Sequence, residues 1–209
     1  MNVVHEHVRT AVRVRGLDRR FTSRTVLFGL DLDIAPGEFV AVLGDTGAGK
    51  STLLRILAGM DRETYGRLTL PERRAYVFPD ARLLPWARVL DNVILGLNDR
   101  RRGHLALAEV GLAHRADAWP SALSEEETHR VALARAFVRD PELLLLDEPF
   151  RTLGSPGRLR MRELLRFLLA KHRPAVLLAT QDPDEAIDLA DRVLVLHEGG
   201  LVPDGLGKE

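Results

Sequence analysis

The sequence predicts an α/β fold built on a mostly parallel β-sheet with helices on both faces. Short apolar, β-prone runs alternate along the chain with segments of helical periodicity, and this alternation is typical of parallel sheets. A glycine-rich loop at residues 44–52 joins one apolar run to a run of helix formers. The length of 209 residues suits one α/β domain, with room for a small additional subdomain.

The strands are predicted from two kinds of pattern. Apolar and polar residues alternate over 8–17, which indicates a half-buried strand, and a second strand over 25–34 is stopped by Pro36 and Gly37. Residues 67–77 resemble two short strands around Pro71. The remaining strands, several of them mostly apolar as buried parallel strands are, are predicted at 38–43, 143–146, 175–180 and 192–197.

The helices follow from apolar spacing and from their start and stop residues. Residues 51–58 are rich in helix formers and end before Gly59. Because the chain from about residue 80 to 138 is mostly helical and lies between strands, an inserted helical subdomain is expected there. Residues 199–209 have few anchoring side chains and are expected to fray. The other helices are predicted at 89–97, 104–110, 125–138, 159–169 and 185–189.

Composition excludes several classes of function. The formal net charge is zero, so no field for nucleic acid or an anionic membrane is expected. The absence of cysteine excludes disulfides, thiol catalysis and cysteine-based zinc sites. Residues 1–7 contain no signal-peptide core, and no stretch approaches the roughly 20 apolar residues that span a bilayer. We therefore expect a soluble, cytoplasmic chain that reaches a membrane only through partners.

The glycine-rich loop fits the phosphate-binding pattern G-x-x-x-x-G-K-[ST], the P-loop. Its glycines let backbone N–H groups form a nest for anionic oxygens, and the following helix points its positive end at them. Lys50 would contact the β- and γ-phosphates, and the Ser51 hydroxyl would bind Mg²⁺. The alternative is a glycine-rich turn that binds nothing. The predicted nucleotide-binding residues of the loop are Gly44, Asp45, Thr46, Gly47, Ala48, Gly49, Lys50, Ser51 and Thr52.

Two acidic residues follow the apolar run at 143–146. They stand at the carboxyl end of a predicted strand, where α/β sheets bind ligands. Asp147 would orient Mg²⁺ or its water ligands, and Glu148 would polarise the attacking water as general base. The alternative is a strand end with two solvated acids. Together with the P-loop, the pair predicts ATP and Mg²⁺ as ligands.

These motifs and several others make the chain resemble the ATP-binding subunit of ABC transporters over essentially its whole length. Leu123 and Ser124, followed by the helix at 130–136, are similar to the signature motif of that family. Phe21 stands where the family stacks an aromatic ring on adenine, although it could equally be a packing residue. Residues 80–86 are similar to a segment of importers of aliphatic sulfonates, taurine and nitrate. A guanine-reading N/T-K-x-D motif is absent, which argues against a GTPase.

The resemblance implies one domain over residues 1–209. It would be a P-loop NTPase with a mostly parallel sheet flanked by helices, an antiparallel β part and a small helical subdomain. It also implies that two copies of the subunit sandwich two ATP molecules and that closure moves two transmembrane permease subunits. The chain would then lie at the inner membrane through its permease, as a subunit importing sulfonate-like anions.

The sequence departs from the family where the γ-phosphate site is sensed or completed. A signature loop with three glutamates would repel the partner's ATP, because two unit charges about 4 Å apart repel by roughly 4 kcal/mol at an effective dielectric of about 20. Gln181 can donate a hydrogen bond but cannot carry positive charge. It remains the second catalytic candidate. The altered residues are Pro79 for the Q-loop glutamine, Glu125, Glu126 and Glu127 in the signature, Gly154 for the D-loop aspartate and Gln181 for the switch histidine.

The same segments contain good helix starts. Residues 124–127 form a capping box, Asp182 and Pro183 suit an N-cap and first helical position, and residues 155–156 are expected to act likewise. An alternative function is therefore a stabilised monomeric module, redesigned or degenerate, that binds ATP or ADP with little or no hydrolysis. A third is a stable α/β scaffold without a ligand.

The two tryptophans carry separate expectations. Trp86 is expected to line the groove where a permease helix docks, or to lie partly in the core of the helical subdomain. Trp119 precedes Pro120 and is expected to be a core residue.

Overall fold

The computed structural model describes residues 11–22 and 24–203. Residues 1–10, 23 and 204–209 lie outside the described part. The expectation about a signal peptide at 1–7 and the first residues of the strand predicted at 8–17 therefore fall outside it too. The strands are β1 (Val12–Phe21), β2 (Arg24–Ile34), β3 (Phe39–Leu43), β4 (Tyr65–Thr69), β5 (Arg74–Val77), β6 (Leu143–Asp147), β7 (Ala175–Thr180), β8 (Arg192–His197) and β9 (Gly200–Pro203). The helices are α1 (Lys50–Leu57), α2 (Val89–Val93), α3 (Arg100–Glu109), α4 (Glu125–Phe137), α5 (Ser155–His172) and α6 (Pro183–Leu189), and two short 3₁₀ turns are Ala113–Arg115 and Pro120–Ala122.

The strands form two sheets. Six strands in the order β5-β6-β7-β3-β8-β9 make the main sheet, in which every neighbouring pair is parallel except β8 with β9. The order β2-β1-β4 makes a three-stranded antiparallel sheet. The predicted fold class, a mostly parallel sheet with helices and an antiparallel part, is confirmed.

The leucine run of β6 shows how the sheet is buried on both faces. Leu144 and Leu146 point into a core that also contains residues of α2, α3, α4 and α5. Leu143 and Leu145 point into a second core, made with α1 and the antiparallel sheet. Because successive strand residues face opposite sides, an unbroken apolar run is the pattern that a doubly covered strand requires.

Helices α2, α3 and α4 pack on one another between β5 and β6 in the chain, and α4 also packs on β5 and α5. Their buried side chains belong to the same core as one face of the main sheet. The description of residues 1–209 as one domain with an inserted subdomain at about 80–138 stays a prediction.

Several predicted elements differ from the structure, including the helix predicted at 104–110, which begins at Arg100, and the strand predicted at 8–17, which continues to Phe21. The helix predicted at 89–97 ends at Val93, because the chain turns at Gly96, whose φ is +74°. Helix α5 begins at Ser155 with a proline in its first turn, so it is longer than the segment predicted at 159–169. Fraying from residue 199 is wrong for β9. Instead, Gly199 turns the chain back at φ +83° and accepts a hydrogen bond of 2.9 Å from the Phe28 backbone.

The predicted helix caps are mostly confirmed. The Ser124 hydroxyl accepts from the Glu127 backbone, and the Glu127 carboxylate accepts from the Ser124 backbone, which completes a capping box. Asp182 accepts from the backbones of Asp184 and Glu185 at the start of α6. The expectation for Ser155 is wrong, since the N-cap of α5 is Gly154 and no side chain caps that helix.

The tryptophans lie near the surface. Trp119 is 42% exposed and has the Arg88 guanidinium 3.8 Å from its ring centre, so its assignment to the core is wrong. Trp86 is 74% exposed, which contradicts a core position for its ring. It stands in a loop fixed by Asn92, a fully buried residue of α2. The Asn92 amide accepts from the Leu84 backbone N–H and donates to the carbonyls of Leu84, Ala87 and Arg88.

Candidate nucleotide-binding site

The carboxyl ends of neighbouring parallel strands meet in one cleft. β5, β6, β7 and β3 are consecutive in the sheet, and each is followed by residues that line this cleft of about 360 Å³. Parallel strands deliver their carboxyl ends to the same edge, so residues far apart in sequence come together. The predicted residues that line it are Asp45, Thr46, Gly47, Gly49, Lys50, Ser51, Thr52, Asp147, Glu148 and Gln181. The predicted residues Gly44 and Ala48 belong to the same loop but are not among the residues described as lining the cleft.

The loop requires glycine at specific positions. Gly47 and Gly49 have φ values of +83° and +113°, which L-residues rarely adopt. A Cβ atom at Gly49 would lie 2.9 Å from Val26 Cγ1, and one at Gly44 would lie 2.9 Å from the Leu196 carbonyl oxygen. The loop backbone is therefore packed closely against Val26 and Leu196 at these two positions, and only glycine leaves room for this packing.

Lys50 is buried at the start of α1 and is held by the loop itself. Its ammonium donates hydrogen bonds to the carbonyls of Gly44 at 2.5 Å and Asp45 at 3.1 Å. It also lies 3.6 Å from Glu148 Oε1. A buried ammonium needs such partners, and their positions keep its charge inside the cleft.

Glu148 has a strained backbone, with φ at +46°. A non-glycine residue in such a conformation costs about 1–3 kcal/mol and persists only where the surroundings hold it. Its backbone N–H donates to the carbonyl of Ala179 on β7 at 2.9 Å. This hydrogen bond holds the backbone of Glu148 so that its carboxylate faces the cleft.

Asp147 is almost fully buried at the end of β6 and accepts two side-chain hydrogen bonds. Ser51 Oγ donates to its Oδ1 at 2.8 Å, and the Tyr76 hydroxyl donates to its Oδ2 at 2.7 Å. Burial, followed by the contact with Asp147, raises the pKa of Tyr76, so that hydroxyl keeps its proton. Ser51 and Asp147 thus present two oxygens side by side, which suits Mg²⁺ held by one or two protein oxygens together with phosphates. The residues present therefore fit a magnesium nucleotide.

The positions of the predicted γ-phosphate sensors also lie in this cleft. Pro79 and Gln181 both line it, after β5 and β7 respectively. The Thr46 hydroxyl donates to Gln181 Oε1 at 3.2 Å, which connects the P-loop to the residue after β7. Gln181 thus reaches the loop as a neutral hydrogen-bonding group.

Phe21 lies apart from the residues described as lining the cleft. Its ring is 46% exposed and packs against Arg19, whose guanidinium is 4.0 Å from the ring centre. Arg19 in turn pairs with Asp61 at 2.8 Å. The role of Phe21 as an adenine platform stays a prediction.

The three glutamates at the start of α4 are not equivalent. Glu126 pairs with Arg130 and Arg160, each at 2.6 Å. The hydrogen bond from Arg160 is the main contact that lowers the pKa of Glu126 to about 2. Glu127 accepts from the Ser124 backbone and pairs with Arg115 at 3.0 Å. Glu125 is exposed, whereas Glu126 and Glu127 are partly buried. The repulsion expected from three free carboxylates is therefore reduced by partners within the chain.

Several cleft residues were missed by the sequence analysis. Arg55, Arg82 and Arg151 line the cleft but belong to no recognised motif. Tyr76 reaches Asp147 only because β5 lies beside β6 in the sheet. A strand order of this kind leaves no local signal in the sequence.

Comparison with known proteins identifies the family. The sequence model of the ABC transporter family matches residues 27–151. The chain is 60% identical over 198 residues to the aliphatic sulfonates import ATP-binding protein SsuB 2 of Streptomyces avermitilis, covering 92% of this chain and 79% of that protein. It is 62% identical over 198 residues to the protein of the same name from Nocardia farcinica, covering 92% and 82%.

The chain belongs to the ABC transporter family. The solved structures agree: cbiO1 from Clostridium perfringens, part of the ABC transporter complex cbiONQ, has a TM-score of 0.83 at 28% identity, covering 92% of this chain and 87% of that one. The ATP-binding cassette MJ0796, a dimeric post-hydrolysis state bound to ADP and Pi, has a TM-score of 0.80 at 25% identity, covering 95% and 100%. The resemblance predicted from the sequence, including its subfamily, is confirmed.

The helices were also compared with the length that a membrane span requires. Among the residues that the structure describes, no helix has both the length and the apolar character needed to cross a bilayer.

Proposed function

We propose that this chain is the ATP-binding subunit of an importer of sulfonate-like anions and that it binds Mg–ATP through its P-loop. The observation that carries the proposal is the convergence of Lys50, Ser51, Asp147 and Glu148 in one cleft. The similarity to aliphatic sulfonate import proteins supports the substrate class.

Each of these residues has a role that its position supports. The Lys50 ammonium, held by the carbonyls of Gly44 and Asp45, would neutralise the β- and γ-phosphates. Ser51 and Asp147 would hold Mg²⁺, which when bound supplies positive charge at the phosphate oxygens. Glu148, fixed by its link to β7, would accept the proton of an attacking water, and Gln181 would orient that water by hydrogen bonding.

The proposal includes partners and a location. In the family, a second copy and two permease subunits complete the transporter, and we place this chain in the cytoplasm, against the inner membrane when a permease is bound. Trp86 supports such docking, because its exposed ring lies in a loop that the Asn92 side chain holds through hydrogen bonds to its backbone. A large exposed aromatic on a rigid loop is a favourable contact for a partner helix.

A second candidate function is a monomeric module that binds ATP or ADP with little or no hydrolysis. The observations that favour it are the residues at positions that complete the γ-phosphate site. Pro79 has no donor, Gln181 has no charge, and Glu125 adds an exposed carboxylate at the start of α4. Each of these residues would weaken closure around a shared nucleotide.

Nucleotide binding is tested by calorimetry with ATP and Mg²⁺. We expect Lys50→Ala to weaken ATP binding by about tenfold or more, because a hydrogen bond to a charged group contributes about 1.5–3 kcal/mol. Lys171→Ala is the matched control, since Lys171 pairs with Glu109 on the surface outside the cleft. Equal affinities for the wild type and Lys50→Ala would show that Lys50 does not hold the nucleotide, and no measurable binding by the wild type would point to the scaffold without a ligand.

Turnover and assembly separate the two binding hypotheses. The importer subunit should release phosphate at saturating ATP, and Glu148→Gln should abolish that release while ATP still binds. It should also sediment as a dimer when ATP and Mg²⁺ are present. A chain that binds ATP but stays monomeric and releases no phosphate is the module instead.

A further inference from the structure

Arg151 is a cation in the nucleotide cleft that no motif accounts for. It lies three residues after Glu148, and its backbone N–H donates to the Glu148 carbonyl at 3.3 Å. This turn places Arg151 beside the candidate base. Its side chain lines the nucleotide cleft and also a neighbouring cavity of about 200 Å³, which Glu148 and Gln181 line as well.

The charge of Arg151 is available to a ligand. Its side chain is exposed, and it forms no ion pair within 4.0 Å with any residue in 11–22 or 24–203. Two neighbouring cations already have acidic partners: Lys50 lies 3.6 Å from Glu148, and Arg158 pairs with Asp182 at 3.4 Å. Arg151 therefore has no internal partner to give up when an anion enters.

The residues beside Glu148 bring little free positive charge to a terminal phosphate, although Arg55 and Arg82 also line the wider cleft. Asp147 and Glu148 are acidic, the charge of Lys50 is partly balanced by Glu148, and Gln181 is neutral. A terminal phosphate group brings further negative charge to the same place. A guanidinium can meet it with two parallel hydrogen bonds, a geometry that favours binding of phosphate oxygens.

We propose that Arg151 contacts the terminal phosphate of a nucleoside triphosphate held by the P-loop and makes this site prefer the triphosphate to the diphosphate. The inference rests on the proposed function, namely that the cleft binds ATP. Because Arg151 and the P-loop belong to the same chain, a single subunit can distinguish ATP from ADP without a second copy. Arg151 would thereby supply from within the cleft the charge that Gln181 lacks.

The test compares the affinities for ATP and ADP, each titrated with Mg²⁺ into the full chain by calorimetry. We expect Arg151→Gln to weaken ATP binding by about tenfold, as the loss of a charge-assisted contact implies, while ADP affinity changes by less than about twofold. Arg101→Gln is the matched control, because Arg101 is an exposed arginine of α3 outside the cleft and its removal changes the net charge equally. It should leave both affinities unchanged.

Three outcomes would overturn the inference. If Arg151→Gln leaves ATP affinity unchanged, Arg151 does not touch the ligand. If the affinities for ATP and ADP fall equally, it acts on the inner phosphates or on the fold, and the melting temperature without nucleotide tells these apart. If the wild type binds neither nucleotide, the proposed function fails first and this inference fails with it.

Discussion

The Tyr76 hydroxyl donates to Asp147 Oδ2 at 2.7 Å, while Ser51 donates to the other oxygen of the same carboxylate. The carboxylate is thus fixed from two sides, by β5 and by α1. An oriented carboxylate binds a metal ion more tightly than a free one, because its position does not have to be ordered on binding.

Tyr76→Phe removes one of these two contacts and keeps the ring. We expect the variant to need about tenfold more Mg²⁺ for the same ATP affinity, the usual size of such effects at metal sites. Magnesium titrations of ATP binding measure this. Tyr65→Phe, at a 74% exposed tyrosine of β4, should leave the requirement unchanged. Identical magnesium curves for Tyr76→Phe and the wild type would show that Tyr76 does not position Asp147.

Gly49→Ala tests whether the loop needs its backbone conformation. At φ +113°, and with the new Cβ 2.9 Å from Val26, the substitution should cost about 1–3 kcal/mol of folding stability and weaken ATP binding. Gly154→Ala is the control, because φ is −66° there and no heavy atom lies within 4 Å of the new Cβ. It should change stability by less than about 1 kcal/mol. Equal unfolding midpoints for the two variants would contradict the strain argument.

Asn92→Ala should destabilise the loop that carries Trp86. The substitution removes the side-chain partner of the Leu84 N–H and of the carbonyls of Leu84, Ala87 and Arg88, at a cost of about 3 kcal/mol. Urea unfolding measures this cost, and protease cleavage within 84–88 should become faster. Asn98→Ala, at an exposed asparagine, should affect neither measurement. The prediction fails if both variants unfold at the same urea concentration.

Glu185 should make stability depend on pH. Burial raises the pKa of this carboxyl from 4.5 to about 7, while the hydrogen bond from the Thr180 hydroxyl acts in the opposite direction. The folded state therefore binds the proton more tightly than the unfolded chain does. The stabilisation that this bound proton gives the folded state is fully present below about pH 4.5. It is lost as the pH rises through about 7.

Glu185→Gln removes the titration and can keep the contact with Thr180. Denaturant unfolding between pH 4.5 and 7.5 should show a flatter pH dependence for this variant than for the wild type. Glu163→Gln, at an exposed position of α5, should follow the wild-type curve. Parallel curves for Glu185→Gln and the wild type would contradict the assignment.

The sequence was sufficient for those parts of the site that depend on local order. The loop at 44–52 and the acids at 147–148 each follow a strand, and parallel strands bring such ends together without further information. The contact of Tyr76 with Asp147 depends on β5 lying beside β6, and that order is decided by packing over the whole sheet. Arg151 belongs to no recognised motif, so no pattern indicated that it would face the cleft.

Errors in the fold had similar causes. Strand β9 was missed because its glycine and proline disfavour strands locally, whereas pairing with β8 decides its conformation. Trp119 was assigned to the core on residue type alone, but its ring is covered on one side by Arg88, a long side chain that can shield an aromatic face while remaining in water. Tertiary partners of this kind are not visible in a single sequence.

The short strand β9 also has a consequence for how the protein behaves at high concentration. The outer edge of a sheet is a template on which another molecule can add a strand and begin to aggregate. Here the outermost strand has only four residues, ends in Pro203, which lacks an N–H group, and is approached by β2 through the Phe28 contact with Gly199. On this side, the main sheet offers little backbone for uncontrolled assembly.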